Sequence, residues 1–126
     1  RYPYLLVDRV IDYNGEEMVA LKNVTINEPF FQGHFPEPGP SVMPGTMIVE
    51  GMAQVSGLLA RKVLGKEGIG YLVGVDGAKF RQKVTPGDQL VLKAEMNRAR
   101  SNLCKVDVKA SVDEEPVAEA EITLAF

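Results

Sequence analysis

Met47-Ile48-Val49-Glu50-Gly51-Met52-Ala53-Gln54-Val55-Ser56-Gly57-Leu58-Leu59-Ala60 holds one carboxylate, no basic residue and no proline. Pro44-Gly45-Thr46 in front of it and Gly65 behind it are start and stop signals, so the pattern predicts a helix from there to about Val63. A helix apolar on nearly every side is expected to be buried all round. Something on either side of it must do the burying. Upstream, Tyr4–Tyr13 reads as a strand ending at the hairpin signal Asn14-Gly15, and Glu17–Val24 alternates as the returning strand. Downstream, four more strands are expected: Tyr71–Val75 (extended by Lys79–Val84), Gln89–Asn97 after Pro86-Gly87-Asp88, Leu103–Val112, and Val117–Ala125. Asp113-Glu114-Glu115-Pro116 is the turn between the last two. Strands, one buried helix and a run of antiparallel strands define an α+β fold: an antiparallel curved sheet wrapped around one long central helix.

The 126 residues fit a single domain spanning 1–126, with no repeat, low-complexity stretch or linker. Hydrophobic residues make up 45% and charged residues 25%, the balance of a globular chain. A net charge of −3 gives no basic excess for nucleic acid or an anionic membrane surface. No run approaches the length of apolar sequence needed to span a bilayer. The single cysteine, Cys104, cannot form an intrachain disulfide, which suits a reducing compartment. The chain opens at Arg1-Tyr2-Pro3 without an initiator methionine or signal-peptide pattern, so a further N-terminal piece is expected upstream.

Three features can carry chemistry. The only histidine, His34, sits in Gln32-Gly33-His34-Phe35-Pro36, close to Phe30 and Phe31. A lone histidine can cap a loop or pack among aromatics; here glycine before it permits close backbone approach and proline after it stiffens the loop. Glu50 lies mid-helix, where glutamate is rarely buried without a partner, and a desolvated carboxyl is suited to acid–base work. Thr46, Glu50 and Gln54, four positions apart, form one polar stripe. That stripe could instead face a solvent gap or pair with Arg61 or Lys62, but Arg61 lies about 16 Å along the helix from Glu50. Third, the unpaired amides at Pro44-Gly45-Thr46 carry the positive end of the helix dipole. A thioester carbonyl placed there would be polarised as enolate-like charge builds up.

Several longer runs share one pattern: Tyr2-Pro3-Tyr4-Leu5-Leu6-Val7-Asp8-Arg9-Val10, Lys22-Asn23-Val24-Thr25-Ile26-Asn27-Glu28-Pro29-Phe30-Phe31, Gly33-His34-Phe35-Pro36, Met43-Pro44-Gly45 and Glu50-Gly51-Met52-Ala53-Gln54. With Lys79-Phe80-Arg81 and Val84-Thr85-Pro86-Gly87-Asp88 they span essentially the whole chain. This pattern resembles the FabZ family, hot-dog-fold 3-hydroxyacyl-[acyl-carrier-protein] dehydratases of type II fatty acid synthesis. The resemblance implies elimination of water to a trans-2-enoyl thioester, with His34 and Glu50 catalytic and the Gly45 amide on the carbonyl. Gln54 and Thr46 would support Glu50. Glutamate at position 50 resembles this family more than the FabA-type dehydratase–isomerase, which carries aspartate there. Tyr71, with Phe30, Phe31 and Phe35, would line the acyl tunnel.

The partner implied is an acyl carrier protein. Lys79, Arg81 and Lys83, alternating along one strand, would dock that acidic carrier or form an ordinary solvated face. A homodimer sharing the site, assembled as a trimer of dimers, is expected in the bacterial cytoplasm, or in the plastid stroma after transit-peptide removal. No cofactor or metal is expected, because the reaction is not redox and one histidine without clustered ligands makes a poor metal site. Pro36–Val42 is about two residues longer than usual in the family, which a Pro/Gly-rich surface loop tolerates. Two rival readings are a hot-dog thioesterase, disfavoured by Gly33-His34-Phe35-Pro36, and a non-catalytic acyl-binding subunit, disfavoured by the presence of both His34 and Glu50.

Overall fold

The computed structural model describes residues 1–65 and 67–126. Strands β1 (Arg9–Tyr13), β2 (Glu17–Asn23), β3 (Tyr71–Phe80), β4 (Gln89–Arg100), β5 (Leu103–Val112) and β6 (Glu115–Ala125) form one antiparallel sheet in the order β1-β2-β4-β5-β6-β3. One long helix, α1 (Gly45–Leu64), lies across it and packs on β4, β6, β5 and β2. Ile48, Met52, Val55 and Leu59 form its buried stripe. Beneath them the inner face alternates branched residues (Leu90, Leu92, Val106, Val108, Ile122) with Ala94, Ala110, Ala118 and Ala120. Gly65, at φ 63° in the left-handed region, ends the helix where the sequence predicts. No helix among the described residues is long and apolar enough to cross a membrane.

Three expectations need correction. In the isolated chain α1 is not buried all round: Thr46, Leu58, Arg61, Lys62 and Val63 are exposed, because the sheet covers one side only. The first strand starts at Arg9, not Tyr4; the Tyr4 and Leu6 backbone groups bond instead to the Gln54 side chain on α1. The third strand is continuous from Tyr71 to Phe80 and ends there, so Arg81–Val84 lies outside it. Gly77, at φ 62°, sits within the register shift between Asp76 and Lys79.

Register creates a feature on the outer face. Glu17, Glu95, Asp107, Glu121 and Asp76 stand directly opposite one another across β2, β4, β5, β6 and β3. Lys93 reaches Glu17 at 3.6 Å and Lys105 reaches Glu121 at 4.0 Å, at the flanks of the row. Directly opposed like charges destabilise a sheet. Asp107→Thr is therefore expected to raise stability by about 0.5–1 kcal/mol, or a few degrees in Tm. The gain should shrink as salt is added. An unchanged calorimetric midpoint would mean that the neighbouring cations already neutralise the row.

Candidate active site

His34 hangs from a segment fixed at both ends. Upstream, the 3-10 turn Pro29–Gln32 carries Phe31, which is buried in the core, and closes with the Gly33 N–H donating to the Phe30 carbonyl. Downstream, the Val42 N–H donates to the His34 carbonyl at 3.0 Å and the Met43 N–H to the Val84 carbonyl at 2.8 Å. The imidazole Nδ1 lies 2.6 Å from the Val42 carbonyl oxygen. A carbonyl can only accept, so Nδ1 carries the hydrogen, and in the neutral form of the ring the lone pair stands at Nε2. The Phe35 ring stacks on the imidazole at 4.0 Å.

The Pro36–Val42 loop leaves this arrangement intact. The Phe35 N–H donates to the Pro40 carbonyl at 2.8 Å and the Gly39 N–H to the Pro36 carbonyl at 2.7 Å, so the excursion closes on itself. Glycine is needed at 39, where a Cβ would lie 2.9 Å from both the Phe35 Cβ and the Pro36 oxygen. The loop is extruded beyond the paired His34 and Val42.

A cleft of about 600 Å³ is lined by His34, Pro44, Gly45, Thr46, Val49, Val75, Ala78 and Phe80. No side chain caps α1. The Met47 and Ile48 amides reach the Pro44 carbonyl, which leaves those of Gly45 and Thr46 for a ligand. Phe80 covers this end of the helix: a Cβ at position 45 would meet its ring at 3.0 Å. The cleft thus combines an imidazole, helix-terminal amides and an apolar wall. It can bind a polarisable carbonyl and take a proton from the adjacent carbon.

The structure therefore brings His34, Gly45 and Thr46 together. Glu50, half-buried, does not line the cleft. It accepts a hydrogen bond from Gln54 Nε2 at 3.2 Å, and Gln54 also donates to the Tyr4 carbonyl and accepts from the Leu6 amide. Lys62 lies over the Tyr13 ring, 5.8 Å from its centroid. Tyr71, 66% exposed, stands at the start of β3 away from the cleft. Phe30 and Phe31 pack edge to face at 4.7 Å against the core.

Of the three basic residues, only Lys79 lies in a strand, which corrects the expected alternation. Arg81 is hydrogen-bonded to Glu119 and holds that carboxyl below the usual carboxylate range, through this bond first and its charge second. Sequence reasoning missed Val49, Val75, Ala78 and Phe80 as lining residues. No pattern marks them, because only the bulged course of β3 brings it past the start of α1.

A curved antiparallel sheet around one helix, with imidazole and helix-terminal amides in one cleft, defines a hot-dog-fold enzyme acting on acyl groups. A family model described as a FabA-like domain matches residues 1–121. The 3-hydroxyacyl-[acyl-carrier-protein] dehydratase FabZ of Listeria monocytogenes is 51% identical over all of this chain and 88% of its own length. That of Polynucleobacter asymbioticus is 50% identical over 99% of this chain and 84% of its own. The chain belongs to the FabZ family of dehydratases, within the FabA-like group. Among solved structures, the dehydratase heterocomplex ApeI:P of Xenorhabdus doucetiae aligns with a TM-score of 0.84 at 17% identity, covering 99% of this chain and 84% of that one. A hypothetical thioesterase of Streptococcus pneumoniae with coenzyme A aligns at 0.73 and 18%, covering 93% and 83%. These two likenesses concern the fold alone.

Proposed function

We propose that this chain removes water from 3-hydroxyacyl thioesters on acyl carrier protein in type II fatty acid synthesis, with His34 as base and Glu50 serving the departing hydroxyl. The observation that supports this reading is His34, held by its Nδ1 contact with the Val42 carbonyl, lining the same cleft as Gly45. The thioester carbonyl accepts from Gly45 N–H, and His34 Nε2 takes the α-proton. The electron pair of that C–H bond forms the double bond as the C–O bond breaks. The hydroxyl takes up a proton at Glu50 and leaves as water, giving the trans-2-enoyl thioester.

Because Glu50 does not line the cleft of its own chain, the carboxyl group that serves this site comes from another copy. The β3 edge supports pairing: Tyr71, Leu72, Val73 and Val75 are exposed on a strand whose outer side has no neighbour among the described residues. A homodimer is the working unit, and a trimer of dimers the full assembly, in the cytoplasm. Lys79 and Lys83, with Arg81 already engaged by Glu119, face the acidic carrier. Added salt should therefore raise KM for carrier-linked substrate; a salt-independent KM would remove electrostatic docking.

The direct test incubates the protein with 3-hydroxyacyl carrier protein and follows the intact carrier by mass spectrometry. Loss of one water from the acyl group is the expected result. Release of bare carrier would make the protein a thioesterase, and an unchanged acyl group would sink the proposed reaction.

A further inference from the structure

Lys22 is the one buried charged side chain among the described residues, 7% exposed. It follows Met18 and Ala20 on the inward-facing positions of β2, where the alternation calls for an apolar residue. Its ammonium lies 3.1 Å from Glu28 Oε2, itself nearly buried, and 3.7 Å from Asp8 Oδ1. A buried ion pair contributes little net stability over an apolar pair of the same volume. Its presence here calls for another account, and the position of Glu28 supplies one.

Glu28 organises the start of the segment that delivers His34. Its Oε2 accepts from the Thr25 N–H at 3.3 Å and the Thr25 hydroxyl at 3.4 Å, and its N–H donates to the Thr25 carbonyl. Its carbonyl accepts from the Phe31 N–H, setting the first bond of the 3-10 turn that ends at Gly33, next to His34. The far end of the segment is tied by Val42 and Met43. Backbone bonds hold Val24, just before the turn, to Asp88 and Gly87, and the Lys22–Glu28 bridge adds the side-chain link from the Thr25–Glu28 turn to β2.

We infer that Lys22 is a positioning residue for the reaction: its buried bridge from β2 to Glu28 fixes the near end of the His34 segment and so the aim of the imidazole. The inference rests on the reading of His34 as base. Small displacements of a catalytic group cost rate far more than binding.

The test is the double variant Lys22→Met/Glu28→Gln, which removes the tether without stranding a buried charge. The amide oxygen of Glu28→Gln still accepts from Thr25. The expected result is a folded protein with kcat down about 10–100-fold and KM within about two-fold of the parent. Lys22→Arg should restore most of kcat. Because His34 is the only histidine, its imidazole C–H resonances are assigned without ambiguity, and their titration curve should shift or broaden in the double variant. Where the double variant does not fold, Glu28→Gln alone weakens the bridge to a neutral hydrogen bond while Lys22 keeps its Asp8 partner, and should lower kcat in the same direction by less. A folded variant with parental kcat and an unchanged His34 titration would overturn the inference. The resonance titration reads His34 whether or not the protein dehydrates anything, so failure of the tether and failure of the proposed reaction are told apart.

Discussion

His34→Ala is expected to lose at least about 10²–10⁴-fold in kcat, the usual contribution of a general base, with its fold retained. The reason it should fold is local. The imidazole lies on a loop, half-buried, and contributes one hydrogen bond to Val42 and one stacked contact with Phe35. Losing both costs roughly 1–2 kcal/mol, and the segment keeps its backbone ties from Val42 to His34 and from Met43 to Val84. His34→Asn sharpens the result. Its side-chain amide nitrogen can stand where Nδ1 stands and keep the Val42 carbonyl bonded, yet it offers no basic lone pair. It should be as inactive as the alanine variant. If asparagine restored most of the rate, the ring would be a spacer for the loop and the base would have to be sought elsewhere in the cleft.

How far the sequence reaches can be followed residue by residue. The helix was legible because its signals are local: glycines at 45 and 65 and a mostly apolar stretch without proline between them. His34 and Glu50 were legible because each breaks its surroundings chemically. The first strand was overextended because Tyr4 and Leu6 read as β-prone, while their backbone groups are taken by Gln54, forty-eight positions from Leu6. The third strand was carried too far, to Val84, because Lys79–Val84 reads as its extension, whereas it runs unbroken through two register shifts and ends at Phe80. The acidic row and the Phe80 wall were invisible for a common reason. Both depend on which residues of distant strands lie side by side, and period-2 alternation gives a residue's face but not its neighbour. Lys22 was quoted only as part of a motif; that it faces inward follows from counting from Met18 and Ala20, but what it reaches does not.

The absence of Glu50 from the cleft that His34 lines leads to the second large effect. Glu50→Gln, which preserves shape and the Gln54 contact, should by itself lower kcat about 10²-fold or more. Mixed with His34→Ala under conditions that exchange subunits, the two inactive variants should regain about a quarter of the parental activity. The figure follows from two-fold symmetry. If each site takes its histidine from one copy and its glutamate from the other, a heterodimer of the two variants has one site with both lesions and one with neither. Random exchange makes half of all dimers heterodimers, and half of their sites are intact. A site contained within one chain would show no recovery, because every chain in the mixture carries a lesion. The same mixing with β3 blocked, for instance by Val73→Pro, tests the route of assembly: proline removes an amide from the exposed edge and should abolish both dimerisation and recovery. Recovery that survived it would place the shared site at a different surface, with the exposed side of α1 around Leu58 and Val63 the next one to examine.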